Sequence, residues 1–372
     1  MVNIRVSASA KIISITSAGL LSLSTALSGQ QVQHYKQTNL VSDTPGVAAV
    51  TDPNLVNPWG LSRSSGSPWW VSDNGTGLAT LYTGTGSIVP LVVAIPPSSA
   101  GSGTGTPTGQ IFNGTQDFQI APGKPALFLF VTEDGTVSGW NPGVNAASAV
   151  LTVDTKGTSV FKGIAIATID HPSQGATNFL YVADFRKGHV NVYDGSFHRI
   201  HLDGDAFVDE RLPEGFAPFN VQNIGGNIYV AFAKQDAEKH DEVDGPGLGY
   251  VDVFSPTGHL LRRLQSGSWF NGPWGLAQAP TDFGAYSHDI LVGQFGSGEI
   301  HVFDPVTGRF KGTLRDSTNA PIAIDGLWAI AFGGGTTSGP STTLFFTAGS
   351  DDEQHGLFGA ITAVENVLGG DH

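Results

Sequence analysis

The chain has no cysteine and a single methionine, and only 13% of its 372 residues are charged. Without cysteine no disulfide staples the fold, and thiolate nucleophiles and Cys-ligated metal sites are excluded. Positive charge is scarce: 18 Lys and Arg stand against 32 Asp and Glu, for a formal net charge of −14. Such a chain cannot neutralise a phosphate backbone, which argues against nucleic acid as a partner. Past the extreme N-terminus no segment sustains a helical apolar period, and none is long and apolar enough to span a bilayer. Gly-x-Ser-x-Gly and P-loop patterns are missing, and Gly101-Ser102-Gly103 reads as flexible loop, not as a phosphate cradle.

What is present is glycine, 50 residues of it, with 21 prolines and scattered aromatics. This composition suits an all-β protein of many short strands. Six times a buried strand ends in a polar turn and is followed by a glycine-led alternating strand. The phrases begin at Pro68, Leu127, Leu180, Ile228, Ile290 and Leu344. Their period of roughly 50 residues is that of a β-propeller blade. Entries such as Asn57-Pro58-Trp59-Gly60-Leu61, Asn271-Gly272-Pro273-Trp274-Gly275-Leu276 and Asp325-Gly326-Leu327-Trp328 precede them and supply inner strands. A fourth entry is Ala217-Pro218-Phe219-Asn220-Val221, and weaker ones lie at Phe161-Lys162-Gly163-Ile164-Ala165 and near Thr106-Pro107-Thr108-Gly109. Each entry Trp is expected to wedge between blades. The unassigned stretch His34–Val41 is expected to pair into the last blade and close the ring, removing the open edges. The fold expected is thus all-β: a six-bladed β-propeller closed by an N-terminal strand.

Arg5 and Lys11, the apolar run Ile12–Leu27 and the small residues around Ala26 and Ser28 read as a secretory signal. Residues 1–28 are therefore expected to be a signal peptide and residues 29–372 one domain. The expected product is a secreted, extracellular monomer that takes a small-molecule or carbohydrate ligand, with no membrane partner.

Asn39–Ala49, Thr51–Leu61 and Lys234–Asp241 resemble a family of secreted propellers whose bacterial members often carry a C-terminal sorting tail. The likeness runs through essentially all of the mature chain. It implies a six-bladed fold related to the NHL and gluconolactonase-like propellers, and it brings no assigned activity. The chain ends at Gly369-Gly370-Asp371-His372 without an apolar tail, so release rather than anchoring is expected.

Blade topology brings the entry residues and the turns after the second strands to one mouth of the channel. There the column Asp73, Glu133, Asp184, Phe232, Gln294, Ala348 meets the entry column Asn57, Asn220, Asn271, Asp325. Carboxylates and amides of this kind suit a hard divalent cation, Ca²⁺ above all. Glu133, Asp184, Asn57, Asn220, Asn271 and Asp325 are the candidate ligands, although Asp and Asn also cap tight turns. Blades four and six break the column with long polar turns, Lys234–Gly245 and Gly349–Gly356, each holding one histidine among acids. Such loops commonly carry function. His240 and His355 are the candidate bases, oriented by Asp73 and expected to approach each other. The function expected is metal-assisted hydrolysis of the lactonase or esterase kind. The alternatives are a glycan-binding propeller, with Trp59, Trp274, Trp140 and Trp269 stacking on sugars, and a carbohydrate lyase.

Overall fold

The computed structural model describes residues 33–171, 175–202 and 204–364. The expected signal peptide and the C-terminal residues lie outside this range. The described chain forms six sheets in sequence order around one axis, each antiparallel and four-stranded at its heart. The inner strands are Pro58–Ser62, Pro107–Phe112, Phe161–His171, Phe216–Ile224, Pro273–Gln278 and Leu327–Phe332. Each packs beside the next, and the sixth packs beside the first, so the ring is closed. The all-β, six-bladed reading of the sequence stands.

The second strands, such as Trp69–Asp73, Phe128–Thr132 and Ile290–Gln294, are buried along their whole length. Their unbroken apolar runs follow from cover on both faces. Outer strands alternate instead, as in Ile88–Ala94. The repeated glycine has a backbone reason. Gly77, Gly135, Gly188 and Gly298 all sit at φ between 70° and 75°, in the left-handed turn that leaves the second strand of blades one, two, three and five.

Closure follows the expected route. Tyr35–Ser42 pairs antiparallel with Leu357–Ala363, from Tyr35↔Ala363 to Ser42↔Leu357, with a bulge at Asn39/Val41. Val50–Thr51 adds a short parallel fifth strand. In all six blades the pairing of inner and second strand slips once, at Pro58/Leu61, Phe130/Thr132, Phe161/Gly163, Pro218/Asn220, Pro273/Leu276 and Leu327/Ile330. A bulge bends its strand and re-aims the residues beside it.

The entry tryptophans do not wedge between blades as expected. Trp59 of blade one lies 3.4 Å, ring centre to ring centre, from Trp328 of blade six and stacks on it at 19°. It also meets Trp274 of blade five edge-on at 6.0 Å and Phe219 of blade four at 6.2 Å. Blades one and four face each other across the ring, so these rings meet on the axis and plug the channel. Wide rings can fill an axial gap that six narrow inner strands leave, and each buried aromatic contributes roughly 2–3 kcal/mol. The inner strands themselves approach closely: a Cβ on Gly60 would lie 2.5 Å from the Thr108 carbonyl oxygen, and one on Gly275 would lie 2.7 Å from that of Trp328.

Candidate functional site at the acidic mouth

Above the plug, on the face where the inner strands begin, sits Lys162. Its side chain is fully buried. The ammonium lies 4.6 Å from the centre of the Trp59 ring and 5.9 Å from those of Phe185 and Phe219. It donates to Glu133 Oε1 at 2.5 Å and to Asp241 Oδ1 at 3.0 Å. Burial alone would drive off its proton, but the charges of Glu133, Glu242 and Asp241 outweigh that and hold it charged.

The network spreads from this centre. Glu133 Oε2 accepts from Asn74 Nδ2 at 2.9 Å. Asn57 Nδ2 donates to Glu353 Oε2 at 2.5 Å, and Asn57 Oδ1 accepts from Trp328 Nε1 at 3.1 Å. His240 Nδ1 lies 3.0 Å from the same Asp241 oxygen that receives Lys162. Burial works against the Asp241 carboxylate, yet His240 and Lys162 hold it below the usual range. The hydrogen bond to Asp241 raises His240. Glu242, the next residue, is half-buried; loss of hydration pushes it up to about 8 against the pull of Lys162. Burial likewise raises Glu353.

Two loops deliver these groups. Lys234–Val243 extends the second and third strands of blade four, with Val243 N–H bonded to the Lys234 carbonyl and Lys239 at φ 53° in the tip. The blade-six loop carries Asp351, Asp352 and Glu353 in succession at φ 55°, 50° and 63°. Left-handed backbone costs a non-glycine residue roughly 1 kcal/mol or more. The loop is held there by Asp325, whose carboxylate accepts from the Asp351 N–H, and by the Asn57–Glu353 bond. Asn57 itself sits at φ 46°. Five of the eleven non-glycine residues with positive φ among the described residues lie in these loops and at Asn57.

The six ligands expected from the sequence do not form one shell. Glu133 and Asn57 belong to the network. Asp184 is spent on its own turn, accepting from the Lys187 N–H and from Asn191. Asn271 accepts from the Gly245 N–H and so anchors the blade-four loop, while exposed Asp325 anchors the blade-six loop. Asn220 donates to the Trp274 carbonyl and lines the opposite end of the channel, because it follows Pro218 along the inner strand whereas Asn57 precedes the equivalent Pro58. Asp73 orients no histidine. It is fully buried inside blade one beside Thr80 and Asp52, with neither oxygen partnered, and burial raises it well above the usual range.

His240 and His355 do not share a partner. His355 is 45% exposed and pairs with Asp43 Oδ2 at 2.8 Å, tying the blade-six loop to the segment after the closing strand. Among the described residues one group of three metal-ligating side chains converges. It takes one atom each from Glu133, His240 and Asp241, all within 4.8 Å of one another. Sequence reasoning passed over Lys162, Asp241, Glu242 and Glu353. The signal was there for Lys162, a lone cation at an entry position between Phe161 and Gly163. Nor do tryptophan rows face solvent: Trp59, Trp140 and Trp274 are buried, and Trp269 stacks on Phe310.

The fold is that of a six-bladed β-propeller, with its polar groups gathered at one mouth. Similar solved structures include a streptogramin B lyase (TM-score 0.50, 11% identity, 89% of this chain and 98% of that one) and a glucose dehydrogenase (TM-score 0.53, 12% identity, 89% and 100%). At such identities the likeness is one of fold. The sequence matches no protein-family model. It is 32% identical over 345 residues to "Uncharacterized protein R648" of Acanthamoeba polyphaga mimivirus, covering 89% of this chain and 80% of the viral protein. It is 33% identical to "Uncharacterized protein L690" of the same virus, covering 89% and 86%. The chain belongs to the family of these viral proteins. These relatives lend no support to a sorting tail or to secretion.

Proposed function

We propose that the acidic mouth is the active site of a metal-assisted hydrolase acting on a small ester or lactone. The observation that carries this reading is the convergence of Glu133, His240 and Asp241 within 4.8 Å, in front of a buried ammonium. The spacing fits a first-row divalent ion, whose ligands stand about 2.0–2.2 Å from the metal. One imidazole with two carboxylates suits a zinc- or manganese-like ion better than the all-oxygen shell of calcium, the ion expected from the sequence. Bound there, the ion would polarise a carbonyl oxygen. The chain supplies the rest. Lys162 bonds both Glu133 and Asp241 and fixes them in place. Glu242 adjoins Asp241 in the same loop, and loss of hydration raises its carboxyl above the usual range. Asn57 fixes Glu353 across the mouth. The N-terminal segment supports the further proposal that the enzyme is secreted.

The test uses the full chain stripped with chelator. Zn²⁺ or Mn²⁺ should raise its melting temperature by mass action and restore hydrolysis of aryl acetates or δ-lactones. Glu133→Gln and His240→Ala should lose both effects. No bound metal by elemental analysis, or turnover indifferent to both substitutions, overturns the reading.

A further inference from the structure

The other end of the channel has the opposite chemistry. Below the tryptophan plug a cavity of about 440 Å³ is walled by the later residues of the inner strands, among them Leu61, Gln110, Asn220, Trp274 and Ile330. None of its lining residues is acidic, in a chain with 32 Asp and Glu, and Arg63 is the one charged residue among them. Arg63 enters no ion pair among the described residues. Its guanidinium bonds the Phe332, Gly333 and Ser64 carbonyls and lies 5.5 Å from the Trp69 ring centre. Three of the five N–H donors are thereby used, which leaves donors for an outside acceptor. The wall residues also include polar atoms without a protein partner, Ser62 Oγ, Gln110 Oε1 and Trp274 Nε1.

We propose that this cavity binds a small organic monoanion, a single carboxylate on an uncharged and partly apolar body. The carboxylate fits the planar fork of Arg63. One cation balances one negative charge, and a dianion would leave the second uncompensated in a wall without another cation. The amide of Gln222 and the apolar Ile111, Leu276 and Phe332 face the body of the ligand. Pockets with apolar walls and a few placed polar groups are the usual small-molecule sites. The acid-free wall stands against the mouth, whose carboxylates would repel the same ligand.

The probes are 4-bromophenylacetate and its neutral twin, 4-bromophenylacetamide, titrated into the full chain by calorimetry and tryptophan fluorescence. The acid should bind at least about tenfold tighter than the amide. Arg63→Gln should erase that preference. Arg63→Lys, which keeps the charge without the fork, should retain part of it and serves if the Gln variant fails to fold. A crystal soaked with the acid should place the bromine, by its anomalous signal, in this cavity. Equal affinity for acid and amide, no saturation by the acid up to ~10 mM, or bromine located elsewhere overturns the proposal. None of these outcomes bears on the metal proposal, because the Trp59–Trp328 stack separates the two ends.

Discussion

Lys162 of blade three and Glu133 of blade two form an ion pair of 2.5 Å directly over the channel plug. The ammonium is fully buried and Glu133 is only 12% exposed, so the pair is held by the protein and not by solvent. Its Coulomb attraction offsets the cost of desolvating both groups only while both are present.

Replacing Lys162 with Met should therefore be costly. Glu133, Asp241, Glu242 and Glu353 would face one another without a cation, and a loss of about 3 kcal/mol or more is expected in urea unfolding at neutral pH. Adding Glu133→Gln to that variant should recover part of the loss. Full stability in the single variant would show that the cluster carries no net charge strain.

Asp73 sets a pH dependence in blade one. Burial raises its folded-state pKa above the ordinary 3.8, with the Asp52 charge adding to it and Thr80 opposing. The native state then holds a proton that the unfolded chain has released, so stability falls as pH rises above about 3.8, toward the folded-state value. Asp73→Asn should flatten this slope and gain stability at neutral pH. Parallel stability–pH profiles for the two proteins, measured by thermal melts between acid and neutral pH, would contradict it.

Closure by the N-terminal strand predicts that removing residues 33–42 exposes an edge in blade six and brings aggregation or a large drop in melting temperature. The milder Tyr35→Ala removes a ring packed 4.9 Å from Phe283 and a hydroxyl bonded to the Phe283 carbonyl, and should cost about 3 kcal/mol. Size-exclusion chromatography and melts check both.

Gly60→Ala should destabilise by about 1–3 kcal/mol, although Gly60 has an ordinary backbone conformation, because the new Cβ meets the Thr108 carbonyl of the next inner strand at 2.5 Å. Gly188→Ala places its Cβ in open space but at φ 71°, and should cost about 1 kcal/mol through backbone strain alone. Urea titrations of the two variants separate packing from conformation.

The sequence by itself determined the architecture. Strand period, the turn glycines that must take positive φ, and the orphan strand before the first entry are local facts, and they fixed blade number, closure and the face that gathers the polar loops. It also placed Glu133, Asn57 and His240 at the mouth. What it could not give was partnership. Asp184 looked like Glu133 in the repeat, yet the Lys187 N–H and Asn191 absorb its oxygens. Asn220 looked like Asn57, yet it follows the proline that Asn57 precedes and so stands past the plug. Only the tertiary structure decided that Lys162 meets Asp241, 79 residues away, and that Trp59 meets Phe219 across the axis. The physical reason is that a repeat specifies the backbone position of each side chain, whereas charge pairing and ring packing depend on which blade stands opposite and what else competes for the same atoms.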